Sequence, residues 1–231
     1  KGRSYTLIDT PGHIDFATEA ERVLPALDMA VLVVDGSSEL DAHTEALYRL
    51  LTVDYRLPVI IFLNKTDLVS FNKERILGQI SRRLTESIVC IENGQPDPEQ
   101  LAVLDDAFCE AYLEGAADSD AAWCSLRKLT GTATPVLMGA ALSGTGIEEL
   151  MDLLSLTADG LDTQVTGFDP SAPFRARVYQ VRYDQSGERV AYLRVLSGRL
   201  SPRDAFRFDG VTEKVHQIRR YRGGAFTALD E

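Results

Sequence analysis

Over the first two thirds of the chain, short apolar runs alternate with stretches whose apolar residues recur every three or four positions. The runs YTLID (5–9), MAVLVVD (29–35), VIIFL (59–63) and TPVLM (134–138) are apolar at consecutive positions, as strands buried on both faces are. The stretches 41–53, 72–85 and 146–156 carry the helical period, and Leu47, Tyr48, Leu50 and Leu51 form the apolar stripe of the first. This alternation predicts an α/β domain over residues 1–158, a parallel sheet with helices on its faces. Within it, residues 68–138 read as an acidic helical insertion with helices at 72–85, 98–113 and 119–129, Trp123 anchoring a small core of its own.

A linker rich in Gly, Asp, Pro and Ser, 159–172, ends this pattern. From 173 to 231 polarity alternates every second residue, with turn signals at Asp184 to Gly187, Ser197-Gly198, Pro202 to Asp204 and Gly223-Gly224. That tail predicts a small antiparallel β-barrel. It stops at Glu231 before a closing strand is reached, so a truncated barrel with an open edge, prone to pairing between copies, is expected.

Charge sharpens the division. Residues 1–167 hold 12 Lys and Arg against 27 Asp and Glu, a balance of −15; residues 168–231 hold 12 against 8, a balance of +4. The net −11 therefore hides a basic second part. Neither a run of eighteen apolar residues nor a basic-then-apolar leader is present, so no membrane partner and a cytoplasmic location are expected, with a monomer as the working state. Cys90, Cys109 and Cys124, odd in number and widely spaced, read as free thiols in a reducing compartment.

The chemistry begins where YTLID ends. In open parallel sheets ligands bind beyond the carboxyl ends of strands, and DTPGHIDF (9–16) occupies such an end. Asp9 can hold a metal ion through water, Gly12 lets a backbone N–H approach a terminal phosphate, His13 can orient an attacking water, and Asp15 can cap the next helix. The same residues also suit a plain Pro-Gly turn with His13 on the surface. A second strand, VIIFL, ends in NKTD. There Asp67 can accept from the ring N–H and exocyclic amine of guanine, each charged hydrogen bond being worth roughly 1.5–3 kcal/mol. Asn64 can tie neighbouring loops together and the Lys65 stem can lie over the base. After TPVLM, the turn MGAALSGTG can present the N–H of Ala141 to the guanine carbonyl, though it also suits a small-residue connection.

Together these stretches resemble the translational GTPases: DTPGH, NKTD and GAALS correspond in order and spacing to their second switch, guanine-specificity and last guanine-loop motifs. The resemblance implies GTP or GDP with Mg2+ as ligands, Asp9 as the magnesium-linked carboxylate, Gly12 as the γ-phosphate sensor and His13 as the catalytic histidine. Asn64, Lys65 and Asp67 would read guanine, with Ala140 and Ala141 at the last loop. Ala140 stands where relatives usually carry Ser, which removes a loop-bracing hydroxyl. The segment 68–138 resembles the insertion of elongation factor G. The tail RVLSGRLSPRDAFRF resembles the second domain of ribosomal-protection tetracycline resistance proteins, which bind the ribosome, hydrolyse GTP and dislodge the drug. An ordinary elongation factor or release-factor-like GTPase, and a non-catalytic ribosome-docking module, are the alternatives. A P-loop of the form G-x-x-x-x-G-K-[ST] does not precede DTPGH in these residues, which start at Lys1. The expectation is an incomplete P-loop-GTPase-like sheet, its first strands missing, inactive by itself and part of a longer GTPase.

In the tail, Arg175 and Arg177 alternate with apolar residues and share one face of a strand. With Arg194, Arg199 and Arg203 they can meet ribosomal RNA phosphates, or simply form a solvated face. His43 and His216 read as surface residues.

Overall fold

The computed structural model describes residues 5–9, 21–164, 169–184, 186–208, 210–222 and 225–230. The chain divides into two compact units, Lys1–Thr166 and Gly167–Glu231.

The first unit is built on a five-stranded sheet of β1 (Ala30–Asp35), β2 (Val59–Asn64), β3 (Ile88–Glu92), β4 (Gln95–Pro96) and β5 (Thr134–Met138), in the order β1-β2-β5-β3-β4. All neighbours are parallel except β3 and β4. The strand period divides β2 between two cores: Val59, Ile61 and Leu63 enter one, Ile60 and Phe62 the other. The first core is closed by α1 (Ala42–Arg49), through Tyr48, by Leu51 of the π-helical turn Leu50–Asp54 that continues it, and by α2 (Lys73–Arg83), through Ile76 and Ile80. The second is closed by α3 (Pro98–Leu104), α4 (Asp106–Leu113), α5 (Ser119–Lys128) and α6 (Ile147–Gln164), through Leu101, Phe108, Leu126 and Leu153. Burying each such side chain stabilises the fold by about 1.5–3 kcal/mol.

The sheet and its helices match the pattern, with corrections. Tyr5–Asp9 is not a strand: it pairs with none among the described residues, and Leu7 is 84% exposed. An apolar run becomes a strand only by finding a ladder. The segment 68–138, expected to hold helices at 72–85, 98–113 and 119–129, also contributes β3, an interior strand whose IVCI is buried. Its helices have no core of their own: α2 packs in the first core, and α3, α4 and α5 share the second with α6, where Trp123 also packs. The predicted helix 98–113 is two helices, broken at Asp105, whose carboxylate caps the second by accepting from Ala107 N and Phe108 N. The last helix passes through Gly160 to Gln164; a Cβ at Gly160 would run into Thr130 Oγ1 and come within 3.0 Å of the Arg127 carbonyl. The glycine is there for close packing of α6 on the α5 end, not to stop the helix. His43 is half-buried and His216 exposed.

Among the described residues the second unit holds three antiparallel pairs: β6 (Arg175–Tyr183) with β7 (Arg189–Ser197), β8 (Ala205–Phe208) with β9 (Val211–Lys214), and β10 (Ile218–Arg222) with β11 (Ala225–Leu229). Asp184 makes the β6–β7 turn, its Oδ1 accepting from Ser186 N, Ser186 Oγ and Glu188 N. Tyr192 packs on Tyr179 and Tyr221, and Tyr221 on Phe226, joining the first and last pairs. The Arg219 guanidinium lies 4.7 Å from the Phe226 ring centre and bonds Asp184 at 2.8 Å. Gly223-Gly224 lies outside the described residues.

Candidate functional site

Strands β1, β2 and β5 end together at their carboxyl edge. Asp35 stands opposite Asn64 in the β1–β2 register, and Gly36 N donates to the Asn64 carbonyl at 2.9 Å. On the other flank Met138 pairs with Leu63, and Gly139 N donates to the Leu63 carbonyl at 2.9 Å. Two loops separated by some seventy residues are thus launched from adjacent strands.

The loops are then laced to each other. Asn64 Oδ1 accepts from Ala141 N at 2.9 Å and from Lys65 N at 2.9 Å. Thr66 donates to the Gly139 carbonyl through both its N–H, at 3.1 Å, and its hydroxyl, at 3.0 Å. Such an approach requires glycine at 139, where a Cβ would sit 2.6 Å from the Phe62 ring and run into the Thr145 carbonyl. The 139–146 turn is closed by reciprocal bonds between Ala140 and Thr145. Ser143 Oγ completes it, donating to the Ala140 carbonyl at 3.0 Å and lying 2.9 Å from Thr145 Oγ1. The bracing hydroxyl expected to be lost with Ala140 is therefore supplied three residues later.

The 64–67 loop carries the charges. Lys65 has a left-handed backbone, φ 64°, and its Nζ lies 2.6 Å from Asp35 Oδ2. The lysine holds the Asp35 carboxyl below its ordinary range, helped by the Ser37 hydroxyl and N–H on Oδ1. Asp67 is exposed and has no partner among the described residues, so its carboxylate is open to a ligand. Ala140 is buried and Ala141 exposed; the N–H of Ala141 is held by Asn64, while that of Leu142, next in the turn, is unpaired among the described residues.

The structure thus brings Asn64, Lys65, Asp67, Ala140 and Ala141 onto two loops tied together at one edge of the sheet. Asp9 is exposed at the end of its segment, and Gly12 and His13 lie outside the described residues. Among the described residues no group of three His, Cys, Asp or Glu could hold a metal ion. In the second unit Arg177 stands directly across from Arg194 in the β6–β7 register; Arg175 and Arg177 are exposed on β6, and Arg199 and Arg203 are exposed beyond β7. Sequence reading passed over Asp35, Thr66 and Ser143. The available signal was a polar residue next to each strand end, the commonest kind of position in any α/β protein.

No helix of the described residues is long and apolar enough to cross a membrane. The family model of the elongation factor Tu GTP binding domain matches residues 1–159. Tetracycline resistance protein TetM of Streptomyces lividans is 33% identical over 97% of this chain and 38% of its own length. Tetracycline resistance protein TetP of Clostridium perfringens is 29% identical over 94% and 36%, and elongation factor G of Ureaplasma urealyticum 29% identical over 95% and 41%. The chain thus spans about two fifths of the relatives it matches. The crystal structure of a Thermus thermophilus protein superposes with a TM-score of 0.72 at 21% identity, covering 96% of this chain and 40% of that one.

Proposed function

The chain belongs to the elongation factor Tu GTP-binding domain family, and on that premise we propose that it is the guanine-nucleotide-binding part of a ribosome-dependent GTPase that protects ribosomes from tetracycline. The observation that carries the guanine site is the lacing of the NKTD loop to the 139–146 turn by Asn64 and Thr66. It ties the loop that carries the open carboxylate of Asp67 to the turn that carries the Ala141 and Leu142 N–H groups.

The residues present fit the base. Asp67 accepts from the ring N–H and exocyclic amine, a donor pair adenine lacks. The turn meets the carbonyl oxygen through the Ala141 N–H, shared with Asn64, or the open N–H of Leu142. Lys65 covers one face of the base. Asp9 would hold Mg2+, Gly12 would meet the terminal phosphate and His13 would orient the attacking water; the metal would supply charge neutralisation on the phosphates. Those three residues complete the phosphate side, and the 231 residues alone, with base contacts but no G-x-x-x-x-G-K-[ST] cradle, hold nucleotide weakly.

Titration with fluorescent GDP and an ADP analogue tests the site. Asp67→Asn should exchange guanine for xanthine, whose carbonyl can accept from the new amide; unchanged guanine preference would remove Asp67 from the site. In the intact protein His13→Ala should keep GTP binding and lose ribosome-stimulated hydrolysis. The drug-release reading is supported by the resemblance to proteins named for tetracycline resistance. Its test is GTP-dependent release of tetracycline from ribosomes, and a protein that drove translocation instead would be an elongation factor G.

We place the nucleotide domain at 1–164, past the expected boundary at 158 because α6 runs to Gln164, with its insertion at about 68–138, a linker from there to 172 in place of 159–172, and a β-barrel domain at 173–231, of which the three antiparallel pairs are parts. Arg175, Arg177, Arg194, Arg199 and Arg203 meet ribosomal RNA phosphates. Each such contact removed should lower the salt slope of binding by about one.

A further inference from the structure

We propose that Asp35 is a positioning residue of the base site, holding Lys65 where its stem covers the purine; the inference rests on the guanine reading above. Three observations carry it. First, the register of β1 and β2 fixes Asp35 against Asn64, and Gly36 N closes the junction on the Asn64 carbonyl, so the carboxylate cannot drift from the NKTD loop. Space at Gly36 is equally tight: a Cβ would lie 3.0 Å from the Phe71 ring and 3.1 Å from that carbonyl. Second, the carboxylate is oriented by contacts other than the lysine. Oδ1 is taken by Ser37 N at 2.9 Å and Ser37 Oγ at 2.5 Å, leaving Oδ2 to face Lys65 Nζ at 2.6 Å. Third, Lys65 leaves the loop from a left-handed backbone, φ 64°, a conformation that a lysine adopts only where its surroundings impose it.

A free lysine side chain samples many rotamers, and fixing it costs conformational entropy when a ligand binds. A lysine already tied at its head presents its methylene stem without that cost, which is preorganisation. The pair is half in water, with side-chain exposures of 52% and 34%, so its electrostatic contribution to folding is small. Its effect is expected in nucleotide affinity instead.

The experiment is a double-mutant cycle in the whole protein containing these residues: wild type, Asp35→Asn, Lys65→Met and the double variant, read by equilibrium titration with fluorescent GDP, with thermal melts as the folding control. Asn keeps an oxygen for Ser37 and puts an amide NH2, a donor, where Oδ2 accepted from Lys65, so both the charge and the acceptor that hold the lysine are lost. Asp35→Asn should weaken GDP binding on the order of threefold with an unchanged melt, and should have no further effect in the Lys65→Met background. Repeating Asp35→Asn with xanthosine diphosphate in the Asp67→Asn background should give the same factor, because the lysine meets the base face rather than its edge. Independent, multiplying losses from Asp35→Asn and Lys65→Met would overturn the positioning role while leaving the guanine site standing. If Asp67→Asn left nucleotide preference unchanged, the guanine site itself would fail, and the role of Asp35 with it.

Discussion

Tyr48 and Thr134 give the sharpest test of how the first unit is held together. The Tyr48 hydroxyl, on α1, lies 2.7 Å from Thr134 Oγ1 at the start of β5, in the first core. The two residues are 6% and 5% exposed, and neither hydroxyl has another partner among the described residues. Tyr48→Phe removes one oxygen and leaves the other buried without a bond, which costs about 1–3 kcal/mol; Thr134→Val does the same from the other side. The double variant removes both polar atoms at almost constant shape, so no orphan remains and the net cost falls to about that of a single hydrogen bond, ~0.5–1.5 kcal/mol. The two single losses should therefore sum to well over the double loss. Urea unfolding followed by the fluorescence of Trp123, the only tryptophan and a resident of this unit, reads each variant separately from the second unit. Each kcal/mol corresponds to about 2–4 °C in melting temperature for a unit of this size. Losses that simply added, within about 0.5 kcal/mol, would show that the hydroxyls act independently and that water reaches at least one of them.

Gly139→Ala should destabilise the first unit by about 1–3 kcal/mol through the Phe62 and Thr145 clashes and abolish GDP binding at concentrations that saturate the wild type; a variant with wild-type affinity would refute the lacing of the two loops. Gly160→Ala, in a helix where alanine ordinarily gains about 0.5–1 kcal/mol, should instead lower the urea midpoint because Thr130 and the Arg127 carbonyl occupy the space. Asp105→Ala should cost about 0.5–2 kcal/mol at pH 7 by removing the α4 cap. The Ser125 hydroxyl, and then the capped N–H groups, hold the Asp105 carboxyl below its ordinary range. Its contribution is therefore complete above the unfolded value of about 3.9 and fades as pH falls through the lower folded value, so wild type and variant should converge in acid. A stability gap that persisted at pH 2 would assign the loss to packing.

Much of the first unit was legible because β2 and β5 carry unbroken apolar runs, VIIFL before Asn64 and PVLM after Thr134, and α1 and α2 carry a full stripe; period and length leave one solution for such segments. Residues 88–92 escaped because IVCI, four apolar residues after a helix end, is short enough to pass for a connection, and only its place between β5 and β4 makes it a strand. The opposite error befell Tyr5–Asp9, whose pattern is as good but whose partner is a matter of tertiary structure. Gly160 misled because glycine breaks a helix in isolation and joins two in a packed core. In the candidate site, Asn64 and Asp67 were visible through a tetrapeptide whose chemistry is readable residue by residue. Asp35 and Thr66 were not, since their importance comes from register across strands and sequence spacing carries no trace of register.

The order of the sheet also sets a timetable for synthesis. β5 is inserted between β2 and β3, both made earlier, so the two loops cannot be tied until the nascent chain has passed residue 141. Asn64 leaves the ribosome 77 residues before its partner, an interval of about 4–15 s at ordinary elongation rates. From the emergence of β3 until β5 arrives, the inner edges of two apolar strands are open to any passing strand, and that is the interval in which the nascent chain is most exposed to mispairing.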